Sequence, residues 1–179
     1  STSLILGVIP ARYASSRLPG KPLADIAGRS MVMRVVDQAR SCLALAEVVV
    51  ATDDDRVFAH VLEHGGKVVM TSKDHPSGTD RCAEALALMG DQGYDAVVNI
   101  QGDEPFIVPA QIDELCRALA EAPGGIATLA QVVTDDHDLD DPGEVLITTT
   151  VDLDALYFSR AAIPFLRLPS NGPRHSRFR

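Results

Sequence analysis

Leu4-Ile-Leu-Gly-Val-Ile-Pro-Ala-Arg-Tyr-Ala-Ser-Ser-Arg-Leu-Pro-Gly-Lys-Pro-Leu23 is the stretch from which the fold can be read. Leu4–Pro10 is a short apolar run without polar alternation, which reads as a strand buried on both faces. Residues 11–28 mix Pro, Gly and basic residues and read as a loop. Ser30 can then cap a helix running to about Arg40, with Met31, Val35, Val36 and Ala39 facing inward. The same unit recurs. Glu47–Thr52 (EVVVAT) reads as a second strand. Asp53–Asp55 place acidic residues in the first turn of the next helix, where they favour its dipole. That helix carries Val57, Phe58, Val61 and Leu62 and stops at Gly65-Gly66.

The rhythm continues downstream. A third strand is predicted over 67–71, a polar loop over 72–79, and a helix from Asp80 to Met89. Residues 96–101 (AVVNIQ) read as a fourth strand. Pro109 is placed to start a helix over 110–121. A fifth strand is predicted over 126–133, an irregular acidic segment over 135–143, and β-like stretches over 145–151 and 155–163. Alternation of buried strands with helices predicts a doubly wound, Rossmann-like three-layer α/β fold. Ligands of such sheets bind beyond the carboxyl ends of the strands, where the strand order reverses.

Charge narrows the function. The 179 residues carry 16 basic and 25 acidic side chains, a net charge of -9. That argues against nucleic acid as a partner. The distribution is uneven. Residues 1–40 hold six basic residues against Asp25 and Asp37, whereas residues 91–155 hold Arg117 alone against fifteen acidic ones. A local cationic patch on an acidic protein can draw in a small polyanion. No apolar run approaches the ~18 residues needed to span a bilayer. The start has no basic n-region and reads as a strand, not a signal peptide. Cys42, Cys82 and Cys116 are far apart and form no CxxC pair, so a zinc site or disulfide framework is not expected. Together these features predict a reducing, cytoplasmic protein with no membrane partner.

Arg12, Arg17 and Lys21 lie within ten positions directly after the first strand, among small residues that let a ligand approach the backbone. Such a loop suits a triphosphate. It is not a Walker A motif, which would need Gly at 15 and Ser or Thr at 22, where Ser15 and Pro22 stand. No G-x-G-x-x-G follows the strand, which weighs against a dinucleotide oxidoreductase. On composition alone, a surface loop of solvated cations stays open. Asp74-His-Pro-Ser-Gly-Thr-Asp-Arg81 joins a strand to a helix that Ser77 or Thr79 can cap, and a capped turn is the plain reading. Gln101-Gly-Asp-Glu-Pro105 puts Asp103 just past a strand end, where one carboxylate can recruit a nucleotide-bound Mg²⁺. The plain alternative is a helix-flanking charge. Arg160, among apolar neighbours in Ala155–Pro164, can grip a carboxylate with two prongs or serve as a surface arginine.

I-P-A-R-Y-A-S-S-R-L-P-G-K-P-L resembles the signature loop of the 3-deoxy-manno-octulosonate (Kdo) cytidylyltransferases. H-x-S-G-T-[DE]-R, Q-G-D-E-P and A-L-Y-F-S-R-x-x-I-P resemble further motifs of that family. The resemblance covers about residues 4–135 and 155–165. It implies a nucleotidyltransferase fold with a mixed, mostly parallel sheet. It implies that CTP and Kdo give CMP-Kdo and pyrophosphate, for lipopolysaccharide biosynthesis, with Mg²⁺ as cofactor and a homodimer as the assembly. Arg12 and Lys21 would contact the CTP phosphates, with Arg17 nearby and the backbone of Pro10 and Ala11 against the nucleoside. Ser77, Gly78 and Arg81 would meet base and ribose. Asp103 would hold the metal; Gln101 and Arg160 would face the sugar acid. The catalytic set is then Arg12, Lys21 and Asp103. Residues 1–135 form the expected CTP-binding core and 136–179 the start of a sugar-binding and dimerising region.

The sequence departs from the family in two places. The family's Asn-x-V-K-V-V run is replaced by Asp141-Pro-Gly-Glu-Val-Leu-Ile-Thr-Thr-Thr150, without the lysine. Leu166–Arg179 matches no family segment, and from Leu156 onward there are five arginines and no acidic residue. The family's histidine-bearing strand, its acidic sugar ligand and its D-T-P-E-D segment with a second metal Asp do not occur in these residues. Relatives for another 2-keto sugar acid, 8-amino-Kdo or sialic acid, and a non-catalytic CTP-binding fragment are therefore alternatives.

Overall fold

A computed structural model of the chain describes residues 3–14, 18–90, 92–121, 125–163 and 172–177. The chain divides into two compact units, residues 1–127 and 128–179.

The first unit is built on a parallel sheet of β1 (Ile5–Pro10), β4 (Glu47–Thr52), β5 (Val68–Met70) and β6 (Ala96–Asn99). The strand order is β5-β4-β1-β6, and every pairing is parallel. Between β1 and β4 lie the short strands β2 (Asp25–Ile26) and β3 (Arg29–Ser30) and helix α1 (Met31–Arg40). The remaining helices of this unit are α2 (Asp55–Glu63), α3 (Gly78–Leu88) and α4 (Pro109–Glu121).

β1 is central, so both its faces must be apolar. Ile5 and Ile9 pack with Val32, Val35 and Val36 of α1, Val57 and Val61 of α2, and Ile112 and Cys116 of α4. Leu6 and Val8 face the other way and pack with Val49, Ala51, Cys82 and Ala85, the last two from α3. Three helices thus cover one face and one covers the other, giving three layers. The chain builds outward from β1 through β4 to β5, then returns across the sheet to add β6 on the far side. The order reverses between β1 and β6, so their carboxyl ends flank the expected crevice.

Helix starts follow the caps. Ser30 accepts from Met33 N–H at 3.4 Å. Asp54 accepts from Arg56 N–H at 2.9 Å. Ser77 accepts from Asp80 N–H at 3.2 Å, which selects Ser77 over Thr79 and starts α3 two residues before the predicted Asp80.

Three expectations are corrected. The loop over 11–28 holds a 3-10 turn, Lys21–Leu23, and the β2–β3 hairpin. The hairpin turns on Ala27 and Gly28, both at positive φ (50° and 82°), as a two-residue primed turn requires. Residues 126–133 form no strand. Ile126 and Val132 are exposed, and no strand pairs with the segment among the described residues. An apolar run without a ladder partner has no means of satisfying its backbone as a strand. The acidic segment after it contains α5 (Asp136–Asp140), capped by Asp135. Antiparallel pairing among the described residues is confined to two hairpins outside the central sheet.

The second unit contains α5 and the antiparallel pair β7 (Leu146–Thr149) and β8 (Ala155–Ser159). Asp136 accepts from the backbone N–H groups of Arg174 at 2.9 Å and His175 at 2.7 Å. These bonds, the first causes at work, hold its carboxyl below the usual range.

His60 on α2 ties the two helices of one layer together, its Nε2 lying 2.8 Å from Ser30 Oγ. Burial, then the neighbouring His64, lowers its pKa from 6.5. The folded state therefore resists a proton that the unfolded chain accepts. Stability from this group is present above about pH 6.5 and is lost as pH falls from there through the folded value. Asp54, Glu84 and Asp113 have lowered carboxyl pKa values and act only in a more acidic window. Urea unfolding at about pH 7.5 and 5.5 will show a lower midpoint at the acid end. His60→Gln will shrink that difference; an unchanged difference would remove His60 as the cause.

Candidate functional site at the end of the central strands

β1 ends at Pro10, and Ala11 extends its ladder by one bond, donating to the Ala51 carbonyl at 2.9 Å. From there the chain leaves the sheet. Gly20 N–H donates back to the Tyr13 carbonyl at 2.9 Å, closing the loop and bringing Lys21 round. Ala11 is buried, Pro10 half-buried and Arg12 exposed. Arg17 lies outside the described residues.

On the far side of the crevice, Ile100 N–H donates to the Val8 carbonyl at 2.9 Å, extending the β6 pairing. Gly102 follows. A Cβ there would sit 2.5 Å from the Pro10 carbonyl oxygen, so this loop can cross the end of β1 only as glycine. Beyond it, Lys21 Nζ donates to Asp103 Oδ2 at 2.9 Å. Two segments 82 residues apart, one cationic and one acidic, therefore meet at a single point. Both side chains are well exposed, at 36% and 53%. An exposed pair of this kind contributes only about 0–1 kcal/mol, so an incoming ligand can exchange it at little cost.

The loop before α3 forms another wall. Gly78, at the helix start, lies against Pro10 and Asn99, with Asn99 Nδ2 3.7 Å and Pro10 Cγ 3.8 Å from the place its Cβ would take. Ser77 caps the helix, and its hydroxyl also donates to the Asp80 carboxylate. Glu84 tethers the loop from inside, accepting from Ser72 N–H at 2.8 Å and contacting His75 Nε2. The His75 bond first, then that N–H, holds the Glu84 carboxyl below its ordinary value. His75 thus acts as a strut.

Arg81 is almost completely buried, at 1% exposure. Its Nη2 donates to Asp53 Oδ2 at 3.0 Å and its Nη1 to Thr71 Oγ1, while Nε has no partner. Asp53 is also 3.9 Å from Arg12 Nε. The sequence offered Asp53 only as a helix-flanking acid; of the three aspartates it is Asp54 that caps α2. Nothing in the sequence separated the two.

Arg12, Lys21, Asp103, Pro10, Ala11, Ser77, Gly78 and Arg81 all belong to the first unit: Pro10 ends β1 and Ala11, Arg12 and Lys21 follow it, Ser77, Gly78 and Arg81 lie at the start of α3, and Asp103 follows β6. Gln101 is exposed on the same strand tip. Arg160 belongs to the second unit, where its Nη1 donates to the carbonyls of Pro142 at 2.7 Å and Gly143 at 3.1 Å. Among the described residues no group of three or more His, Cys, Asp or Glu could hold a metal ion. Asp103 alone fits an ion that arrives with phosphate oxygens, since Mg²⁺ takes one or two carboxylates in nucleotide sites.

A cytidylyltransferase family model matches residues 6–171. The chain belongs to the cytidylyltransferase family. The 3-deoxy-manno-octulosonate cytidylyltransferase of Cytophaga hutchinsonii is 48% identical over 163 residues, 91% of this chain and 64% of that protein. The 8-amino-3,8-dideoxy-manno-octulosonate cytidylyltransferase of Shewanella sediminis is 47% identical over 168 residues, covering 93% of this chain and 69% of that protein. A solved structure of CMP:2-keto-3-deoxy-manno-octonic acid synthetase complexed with CTP matches with a TM-score of 0.80 at 41% identity, covering 92% of this chain and 67% of that one. The chain spans 64% of the Cytophaga relative's length. As a cytidylyltransferase-family chain it has the family's three-layer α/β architecture around a parallel sheet.

The tightness at Gly102 is directly testable. Gly102→Ala will destabilise the fold by about 1–3 kcal/mol, the usual cost of overpacking. It will also separate Lys21 from Asp103. Chemical denaturation of the variant checks the first effect, and an NMR measurement of the Lys21 ammonium checks the second.

Proposed function

We propose that the chain forms CMP-Kdo and pyrophosphate from CTP and Kdo. The Lys21–Asp103 contact across the strand-order reversal carries this reading. It puts an ammonium suited to phosphate and a carboxylate suited to a nucleotide-borne metal in one crevice. The relatives named for this reaction at 48% identity support the choice of substrates.

In the reaction, the anomeric hydroxyl of Kdo attacks the α-phosphorus of CTP in line and pyrophosphate departs. Transfers of this kind need mainly positioning and charge neutralisation. Arg12 and Lys21 offset negative charge on the triphosphate as it grows on the leaving group. Pro10, Ala11, Ser77 and Gly78 border the nucleoside, and Arg17 lies near the phosphates in the family pattern. Asp103 is the residue that would hold Mg²⁺. When bound with the nucleotide, that ion supplies further charge neutralisation and lowers the pKa of the attacking hydroxyl. In the family pattern Gln101 is a candidate for the sugar acid, and so, separately in the second unit, is Arg160 through a two-pronged carboxylate contact. A cytoplasmic homodimer serving lipopolysaccharide synthesis is the setting the family resemblance implies.

The Shewanella relative, at 47% identity, supports 8-amino-Kdo as an alternative acceptor. The replacement of the family's Asn-x-V-K-V-V run by Asp141–Thr150, without its lysine, supports a second alternative, CTP binding without turnover.

A pyrophosphate-release assay with CTP, Mg²⁺ and Kdo, 8-amino-Kdo or sialic acid separates these. Release with Kdo in preference to the others is expected, and chelation with EDTA will abolish it. CTP binding with no release from any acid would leave the non-catalytic reading. Lys21→Ala will reduce turnover about 10²–10³-fold with the fold intact by circular dichroism, on the scale of losing one charge-stabilising group. Near-normal turnover of that variant would refute its role.

A further inference from the structure

Asp53, Asp54 and Asp55 follow one another at the β4–α2 junction and end in three environments. Asp54 caps α2 and pairs with Arg56; Asp55 lies in the first turn. Asp53 turns inward and is only 12% exposed. It holds two arginines of opposite character. Arg81 is 1% exposed and fixed from its other end by Thr71, whose own hydroxyl donates to the Thr52 carbonyl at 3.1 Å. Arg12 is 52% exposed and stands at the mouth of the crevice.

We propose that Asp53 is a positioning residue: anchored by Arg81, its carboxylate holds the Arg12 guanidinium where nucleotide phosphates arrive, and so ties α3 to the phosphate-side loop. This deepens, and rests on, the nucleotide-binding reading above. An arginine side chain has many rotamers, and a carboxylate at its base removes most of them before the ligand comes. Two guanidinium groups on one carboxylate also leave a single positive charge, and Arg12 is its exposed end. The same junction holds the next residue of the loop. Arg56 lies over the Tyr13 ring, 3.4 Å from its centroid, while pairing with Asp54. The loop is therefore gripped at two successive side chains by one short segment.

The test is calorimetric titration of the 179-residue protein with CTP, CMP and inorganic tripolyphosphate, each with Mg²⁺. Asp53→Asn is expected to weaken CTP and tripolyphosphate about tenfold and CMP by less than about threefold. Asp53→Glu should recover most of that loss. In an Arg12→Ala background, Asp53→Asn should change CTP affinity by less than about twofold, because the two residues act through one contact. An equal loss for all three ligands, an additive loss in the Arg12→Ala background, or no loss at all overturns the proposal. Should Asp53→Asn fail to fold, Thr71→Val, which removes the hydroxyl that Arg81 and the Thr52 carbonyl share and leaves the Asp53 carboxylate in place, must give the same ligand order in weaker form; indifference of the variant to ligand overturns it equally. Wild-type protein that takes tripolyphosphate but not CTP would defeat the cytidine reading, with Asp53 then judged on tripolyphosphate. Wild-type protein that takes neither defeats both.

Discussion

A strand with helices on both faces can spend no residue on a ligand until it ends. In this protein β1 is buried along its length, and the first group it can offer is at Pro10. Everything in the crevice is arranged around that end. The Gly102 loop crosses against the Pro10 carbonyl, the start of α3 lies against the Pro10 ring, and Ala11 bonds the end of β4. Close packing of these backbones leaves little tolerance in where Arg12, Lys21 and Asp103 emerge.

Polar interactions then sort into fixed and exchangeable ones. The Arg81–Asp53 pair is buried, and taking away one partner of such a pair costs about 3–5 kcal/mol. The Lys21–Asp103 pair is exposed and weak. A binding crevice needs both kinds. The rigid contacts define its walls, and the loose one can be exchanged at little cost.

The strands and helices of the sheet were legible because burial writes a continuous pattern into the sequence. EVVVAT became β4 with the boundaries its apolar run predicts, and Ser30 capped α1 as its position suggests. The stretch 126–133 is apolar too, yet a strand is a property of a pair, and no local pattern announces a missing partner. The β2–β3 hairpin escaped for the opposite reason: two residues a side are too few to show a period. At the site, the loop after β1 and the Gln101–Pro105 motif stood out by residue type. Asp53 did not, since three adjacent aspartates look alike until tertiary contacts give each a separate neighbour. Arg81 drew notice as a possible ligand contact, and its burial is visible only in three dimensions.

The three cysteines are free and buried, and burial raises the Cys42 and Cys82 thiols to about 11. Few of them are thiolates at neutral pH, so alkylating reagents meet a nearly silent background. A fluorophore can therefore be attached selectively to one cysteine introduced on the exposed loop at Ala14. Such a reporter sits two residues from Arg12 and turns the arrival of a ligand into an optical signal, without first removing a native thiol.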